Sequence, residues 1–255
     1  MPLQSEAASA YQKMRFETAL EMAAAAERSG IGTMGEKGVH RTLKYYFEPH
    51  EDCHEVSVGG YIADAVGENG VIEIQTMGFS KMRDKLTAFL LATQVTIVYP
   101  VIASKRIIKI DKDTGEIVSI RRSPRKRTEW AIFRELYGIR DMLSEPELRF
   151  CIVKLEADEY RSNVQQRGRK RRKGGASDTE RIPTVLLGET WLRTVDDFRM
   201  FIPDGLPEVF TVAQFSKTAG VDTDTGRCAL HVFCEKGLCK MCGKQGNAYL
   251  FSLVG

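Results

Sequence analysis

Apolar residues recur along this chain with two different periods, and the switches between them mark out its elements. Residues 7–28 (AASAYQKMRFETALEMAAAAER) are strong helix formers that stop at Gly30. TMGEKGVHRTLKYYFE predicts a second helix, with Thr33 as its cap and Val39, Leu43 and Tyr46 on one face. After His50 the period drops to two. HEVSVGGYIADAV alternates and then runs apolar, Glu68-Asn69-Gly70 makes a hairpin turn, and GVIEIQT is a second short strand. SKMRDKLTAFLLAT returns to helical spacing, QVTIVYPVIA reads as a buried strand, and RIIKIDKDTGEIVSIRRS reads as a hairpin turning at Asp113, Thr114 and Gly115. Residues 129–143 look helical, and LRFCIVKLEADEYR is one further strand. This order predicts an α/β fold in which helices flank a mixed sheet.

The pattern breaks at RSNVQQRGRKRRKGGASDTE, which has almost no apolar residue and is expected to be a basic, flexible segment. The expected organisation is therefore an N-terminal helix over 1–32, an α/β domain over 33–161, the basic segment over 162–181, and a small α+β unit over 182–255. Within that last unit VAQFSKTAG is a short amphipathic helix ended by Gly220, VDTD a turn, and TGRCALHVFCEKG a second helix with Ala229, Leu230 and Phe233 facing inward. LCKMCGKQGNAYLFSLV then forms two strands joined by a turn bearing Gly and Lys.

Composition narrows the class without naming it. The 255 residues, 43% hydrophobic and 28% charged, suffice for a sizeable core. The lack of a bilayer-length apolar run and of a signal pattern at the N-terminus predicts no membrane partner and a cytoplasmic location. The six cysteines show no disulfide framework. Cys239-Lys-Met-Cys242 has zinc-knuckle spacing, but Cys228 and Cys234 stand six apart in one helix and so on different faces; core packing is expected rather than zinc. A net charge of +3 says little, whereas its distribution says more.

The acids inside the first hairpin carry the chemistry. Glu73 and Gln75 are two apart and share a strand face, and Asp64 lies on the neighbouring strand. Val71, Ile72 and Ile74 make that strand read as buried, where carboxylates repel and are costly unless a cation lies between them. Hard oxygen ligands suit Mg2+ or Mn2+. Glu36 sits in the first turn of the preceding helix, with His40 one turn later as an expected helix residue rather than a ligand. Lys81, Arg83 and Lys85 open the helix that follows, placed to face a phosphate.

This order resembles the PD-(D/E)XK (restriction-endonuclease-like) nuclease superfamily over roughly residues 33–160. The resemblance implies Asp64 and Glu73 as metal ligands, the carbonyl of Ile74 completing the site, and Glu36 assisting. Two departures stand out: Gln75 occupies the position usually held by lysine, and Ile62-Ala63 precede Asp64 where a proline is expected. Lys85 would supply the missing positive charge. The implied reaction is hydrolysis of a DNA phosphodiester, in which Gln75 positions water by hydrogen bonds without acting as a base.

The C-terminal order, over roughly 206–255, resembles the winged helix-turn-helix family. That likeness implies a helix beginning near Asp224 in a major groove and a wing at Gly243–Asn247, with Arg227, Lys240, Lys244 and Gln245 as contacts. Two basic runs fit the same partner: Arg121, Arg122, Arg125, Lys126 and Arg127 after the hairpin, and Arg169, Lys170, Arg171 and Arg172 in the flexible segment. The same residues admit two other readings, a nuclease fold that binds DNA without cutting it and a winged unit that binds protein. A homodimer stays open.

Overall fold

A computed structural model describes residues 8–29, 38–111, 113–163 and 179–254. Glu36, Thr33 and the run Arg169 to Arg172 lie outside the described residues. The alternating positions form a seven-stranded mixed sheet. Its strands are β1 (His54–Val58), β2 (Tyr61–Gly67), β3 (Gly70–Ile74), β4 (Val95–Asp111), β5 (Ile117–Arg122), β6 (Leu148–Asn163) and β7 (Thr179–Leu192), in the order β1-β2-β3-β4-β6-β7 with β5 on the edge of β4. β3, β4 and β6 run parallel to one another, and the remaining pairs are antiparallel.

Period-two patterning gives the sheet two buried faces. Ile97, Tyr99, Phe150 and Ile152 point into one core, while Val98, Cys151 and Val153 point into the other. The second core is closed by α1 (Ala10–Ser29) and α2 (Gly38–Phe47), which supply Phe16, Leu43 and Tyr46. The first is closed by α3 (Arg83–Leu90) and α4 (Ile132–Gly138), which supply Leu86, Phe89, Phe133 and Leu136. The fold is a mixed α/β layer architecture, as the sequence predicts.

The β2–β3 hairpin turns as expected at Glu68 and Asn69, with Gly67 opposite Gly70. Gly70 has φ +93, and a Cβ there would lie 2.3 Å from the Gln94 carbonyl oxygen, the same oxygen that accepts from the Val71 N–H. Gly70→Ala is therefore expected to destabilise the protein by roughly 2 kcal/mol or more, read as a lower urea midpoint at unchanged slope.

Three expectations change. First, β4 runs unbroken through Pro100 and Ser104, with an irregularity between Ile102 and Ser104, so the predicted strand and the first arm of the predicted hairpin are one element. A bulge absorbs the polar break that made the pattern look interrupted. Second, residues 182–192 belong to the main sheet and not to the C-terminal unit: β7 pairs with β6 from Phe150↔Leu192 to Arg161↔Thr179. The basic run thus lies between two paired strands and is not an interdomain linker. The far end of this ribbon is held by Glu159, fully buried on β6, which accepts from Lys105 of β4, Arg161 of β6 and Arg181 of β7. Burial by itself raises the Glu159 pKa, but the three cations outweigh it and hold it at about 2.

Third, the C-terminal unit shares a core with the sheet domain. It contains α5 (Val195–Arg199), β8 (Phe210–Thr211), α6 (Val212–Ala219), α7 (Thr223–Glu235), β9 (Cys239–Gln245) and β10 (Ala248–Leu253), with sheet order β8-β10-β9. Thr211 and Gln214 form a capping box on α6, Gly220 ends it in the left-handed region, and Asp222 caps α7. Phe133 of α4 packs edge-on against Phe201 at 5.0 Å and Phe233 at 5.2 Å, and Trp130 packs against Phe201 and Phe215. Two aromatic-rich surfaces thus merge into one hydrophobic core.

Candidate functional site

The regular β2–β3 ladder stops at Ala65↔Ile72, and the next pair of residues is Asp64 and Glu73. Here the two carboxylates take over from backbone pairing. Glu73 Oε1 accepts the Asp64 backbone N–H at 3.2 Å, and Asp64 Oδ2 accepts the Ile74 N–H at 2.7 Å. The apolar run around them buries Glu73 to 3% exposure and leaves Asp64 partly exposed. A buried carboxylate requires partners, and each covering layer supplies one. From α2, His40 Nε2 lies 3.0 Å from Asp64 Oδ2; from α3, Lys85 Nζ lies 2.7 Å from Glu73 Oε1 and over the Phe89 ring.

The two acids titrate apart. Burial raises the Asp64 pKa, but His40, the Ile74 N–H and Lys85 together bring it below the ordinary value. Glu73 is pushed up to about 7, chiefly by burial and then by the charge on Asp64, with Lys85 only partly compensating. Asp64 Oδ1 and Glu73 Oε2 accept no hydrogen bond among the described residues.

The predicted residues sort into those the fold gathers and those it sends elsewhere. Asp64, Glu73, Ile74 and Lys85 come together. Gln75 continues the strand through its N–H to the Val98 carbonyl, but its side-chain amide donates to the Met77 carbonyl at 2.7 Å. His40 joins the cluster although sequence alone favoured an ordinary helix position; its only prior signal was helical spacing from Glu36. Lys81 is exposed. Arg83, expected to face a phosphate, is committed to Asp141 and to the Gly138 carbonyl.

The remaining basic candidates also divide. Arg121 and Arg122 lie exposed on β5, and Arg125, Lys126 and Arg127 lie exposed in the loop after it. Arg227 pairs with Asp224 at 3.1 Å on the surface of α7. That helix packs its buried face against α4 and α6 and leaves a narrow exposed strip containing Asp224, Arg227 and Glu235. A strip with two acids and one paired arginine is poorly suited to a major groove, contrary to the expectation for this helix. Lys240 and Gln245 are exposed on β9, and Lys244 stacks on Tyr249 at 4.5 Å. Among the cysteines, Cys228 is buried in the core, Cys234 and Cys239 bring their sulfurs to 3.2 Å, and Cys242 is exposed. Among the described residues, no group of three or more His, Cys, Asp or Glu side chains is arranged to hold a metal.

A cleft of about 480 Å³ opens at the carboxyl end of β3. Thr76 and Met77 form one wall, Lys126 and Arg127 another, and Asp222 and Thr225 at the start of α7 a third. A second hollow of about 530 Å³ lies at the opposite end of β3, near Glu68, Gln94 and Arg149, and contains none of the clustered residues.

Residues 37–193 match the family model described as "Domain of unknown function (DUF8091)". The chain belongs to this family. The matched region runs from the edge of α2 to the end of β7, so the family's unit is the sheet domain with its last strand included. An uncharacterized protein of Treponema pallidum (strain Nichols) is 30% identical over 224 residues, covering 87% of this chain and 86% of that protein. That span is longer than the matched domain, so the likeness reaches the flanking elements. No solved structure was found to match. No helix among the described residues is long and apolar enough to cross a membrane.

Proposed function

We propose that this protein is a metal-dependent DNA endonuclease of the PD-(D/E)XK type, with Asp64 and Glu73 as its metal-holding pair. The observation that supports the reading is the acid pair where the β2–β3 ladder stops: Asp64 and Glu73 each bond the other strand's backbone, Asp64 is held below its ordinary value, and burial and the Asp64 charge push Glu73 up to about 7 with Lys85 compensating only in part.

The donor set fits Mg2+ or Mn2+. Two carboxylates, each with an oxygen free of hydrogen bonds among the described residues, and the Ile74 carbonyl are hard ligands. A bound Mg2+ or Mn2+ would supply polarisation of the phosphoryl group and a more acidic water. The chain's own residues do the rest. His40 and the Ile74 N–H fix Asp64 in one orientation. Lys85, half-sheltered beside Phe89, holds positive charge at Glu73 Oε1 and next to any phosphate that approaches the pair.

One observation favours the non-cutting alternative: the Gln75 amide is spent on the Met77 carbonyl and is not directed at the acids. A single experiment separates the two readings. Plasmid and single-stranded DNA are incubated with Mg2+ or Mn2+, or with EDTA, using wild type, Asp64→Ala and Lys85→Ala. Metal-dependent cleavage reduced about 100-fold in Asp64→Ala and less in Lys85→Ala is expected. Cleavage that persists unchanged in Asp64→Ala would reject this site. Retained DNA binding without any cleavage would establish the non-cutting reading.

A further inference from the structure

The cleft beside β3 has features that the acid pair does not explain. It lies just past the carboxyl end of β3 and beside Tyr99 in the first half of the much longer β4. It adjoins the acid pair through the chain: Gln75, two residues beyond Glu73, bonds the carbonyl of Met77 in the cleft wall. Tyr99, which also lines it, follows directly on Val98, the partner of Ile74.

The charge in the cleft is unbalanced. Its two acids are already used: Glu135 accepts the Gly78 and Phe79 N–H groups at 2.6 and 3.2 Å, and Asp222 accepts the Thr225 N–H and pairs with Arg134 at 2.6 Å. Lys126 and Arg127, both exposed, form no hydrogen bond or ion pair among the described residues. Upstream, Arg125 in the loop and Arg122 and Arg121 on the edge strand add exposed positive charge outside the cleft. Met77, 63% exposed, offers a polarisable apolar surface at the mouth.

The shape selects the form of the polyanion. The α7 wall is fixed, since Arg134 ties Thr225 and Asp222 to α4 and the aromatic core lies behind it. A volume of about 480 Å³ is that of a pocket for one small ligand, the scale of a nucleotide and not of a double helix. From this we infer that the cleft holds an unpaired DNA strand. Phosphates of that strand lie against Lys126 and Arg127 and a base lies against Met77, so that single-stranded or frayed DNA is the favoured substrate class. The inference deepens the nuclease reading and rests on it for the meaning of the word substrate, but its binding is measured separately.

The test uses the full chain in EDTA, where cleavage is silent. Fluorescent single-stranded DNA, a blunt duplex of the same sequence, and that duplex with a single-stranded overhang are titrated against wild type and Lys126→Glu/Arg127→Glu. Wild type is expected to bind the single strand and the overhang about tenfold more tightly than the blunt duplex. The double variant, matched to wild type in melting temperature because both positions are exposed, is expected to lose at least about tenfold on the single strand, with a shallower salt dependence. Equal or tighter binding of the blunt duplex, or a double variant that binds the single strand as wild type does, overturns the inference. If wild type cleaves and Asp64→Ala does not, such a result leaves the nuclease reading standing. If nothing is cleaved under any metal but the single strand is held through Lys126 and Arg127, the nuclease reading falls and the cleft remains a strand-binding site.

Discussion

Exchanging Glu73 for Gln is expected to abolish cleavage and, in the same molecule, to raise stability above neutral pH. The first effect, at least about 100-fold, follows on the proposed reading from losing one of the two carboxylates assigned to the metal. The second follows from linkage. Glu73 has an ordinary value of 4.5 and a folded value of about 7, so between those limits the folded protein holds a proton that the unfolded chain has released. Stability therefore falls as pH rises from about 4.5 through 7, and the deficit is complete above that range. Its size is on the order of 2 kcal/mol, after discounting for the partly exposed Lys85 that screens the charge. Glu73→Gln keeps the shape and removes the charge, so it erases this loss. Urea unfolding in EDTA at pH 5 and pH 8.5 checks it: wild type loses stability at the higher pH relative to the variant. Adding Mg2+ at pH 8.5 is expected to restore wild type and leave Glu73→Gln unmoved, because a ligand stabilises only the state that binds it. A variant equally offset from wild type at both pH values would sink the argument.

Phe133→Ala is expected to cost about 3–5 kcal/mol, and to do so in one cooperative transition. Phe133 is fully buried on α4 and touches Trp130, Phe201 and Phe233, residues on both sides of the junction between the sheet domain and the C-terminal unit. Truncation leaves a cavity at that junction. If residues 195–254 formed a tethered module with a core of its own, the variant would melt in two steps, with the sheet domain nearly unchanged. A shared core predicts a single transition at lower urea, with protease cleavage after β7 rising in parallel.

The acid pair was legible because it violates a local rule. Two carboxylates and an amide in a run otherwise fit for burial demand partners, and a hairpin turn of known length fixes which residues meet across it. Lys85 was legible for a similar reason, as a cation at the start of the helix that follows the strand. His40 was not. Its position on α2 is ordinary until the packing of that helix over the sheet brings its ring to Asp64. Arg83 shows the converse: a basic residue in a promising place is spent on Asp141, which lies far along the chain.

Local pattern by itself determined the α/β class, the helices and most strands, the β2–β3 turn, the order of elements in the C-terminal unit, and the meeting of Asp64 with Glu73. All of these depend on contacts a few residues apart, where periodicity, capping and turn chemistry act directly. Only the tertiary structure decided that β7 joins the main sheet across a basic run with almost no apolar residue, because strand pairing is a long-range contact that no local period encodes. It alone decided that α7 is buried against α4, since an amphipathic helix announces that it has an inner face but not what will cover it. The cleft beside the acids is a product of that docking: Lys126 and Arg127 are a charged loop in the sequence, and become a wall only because the start of α7 stands opposite them.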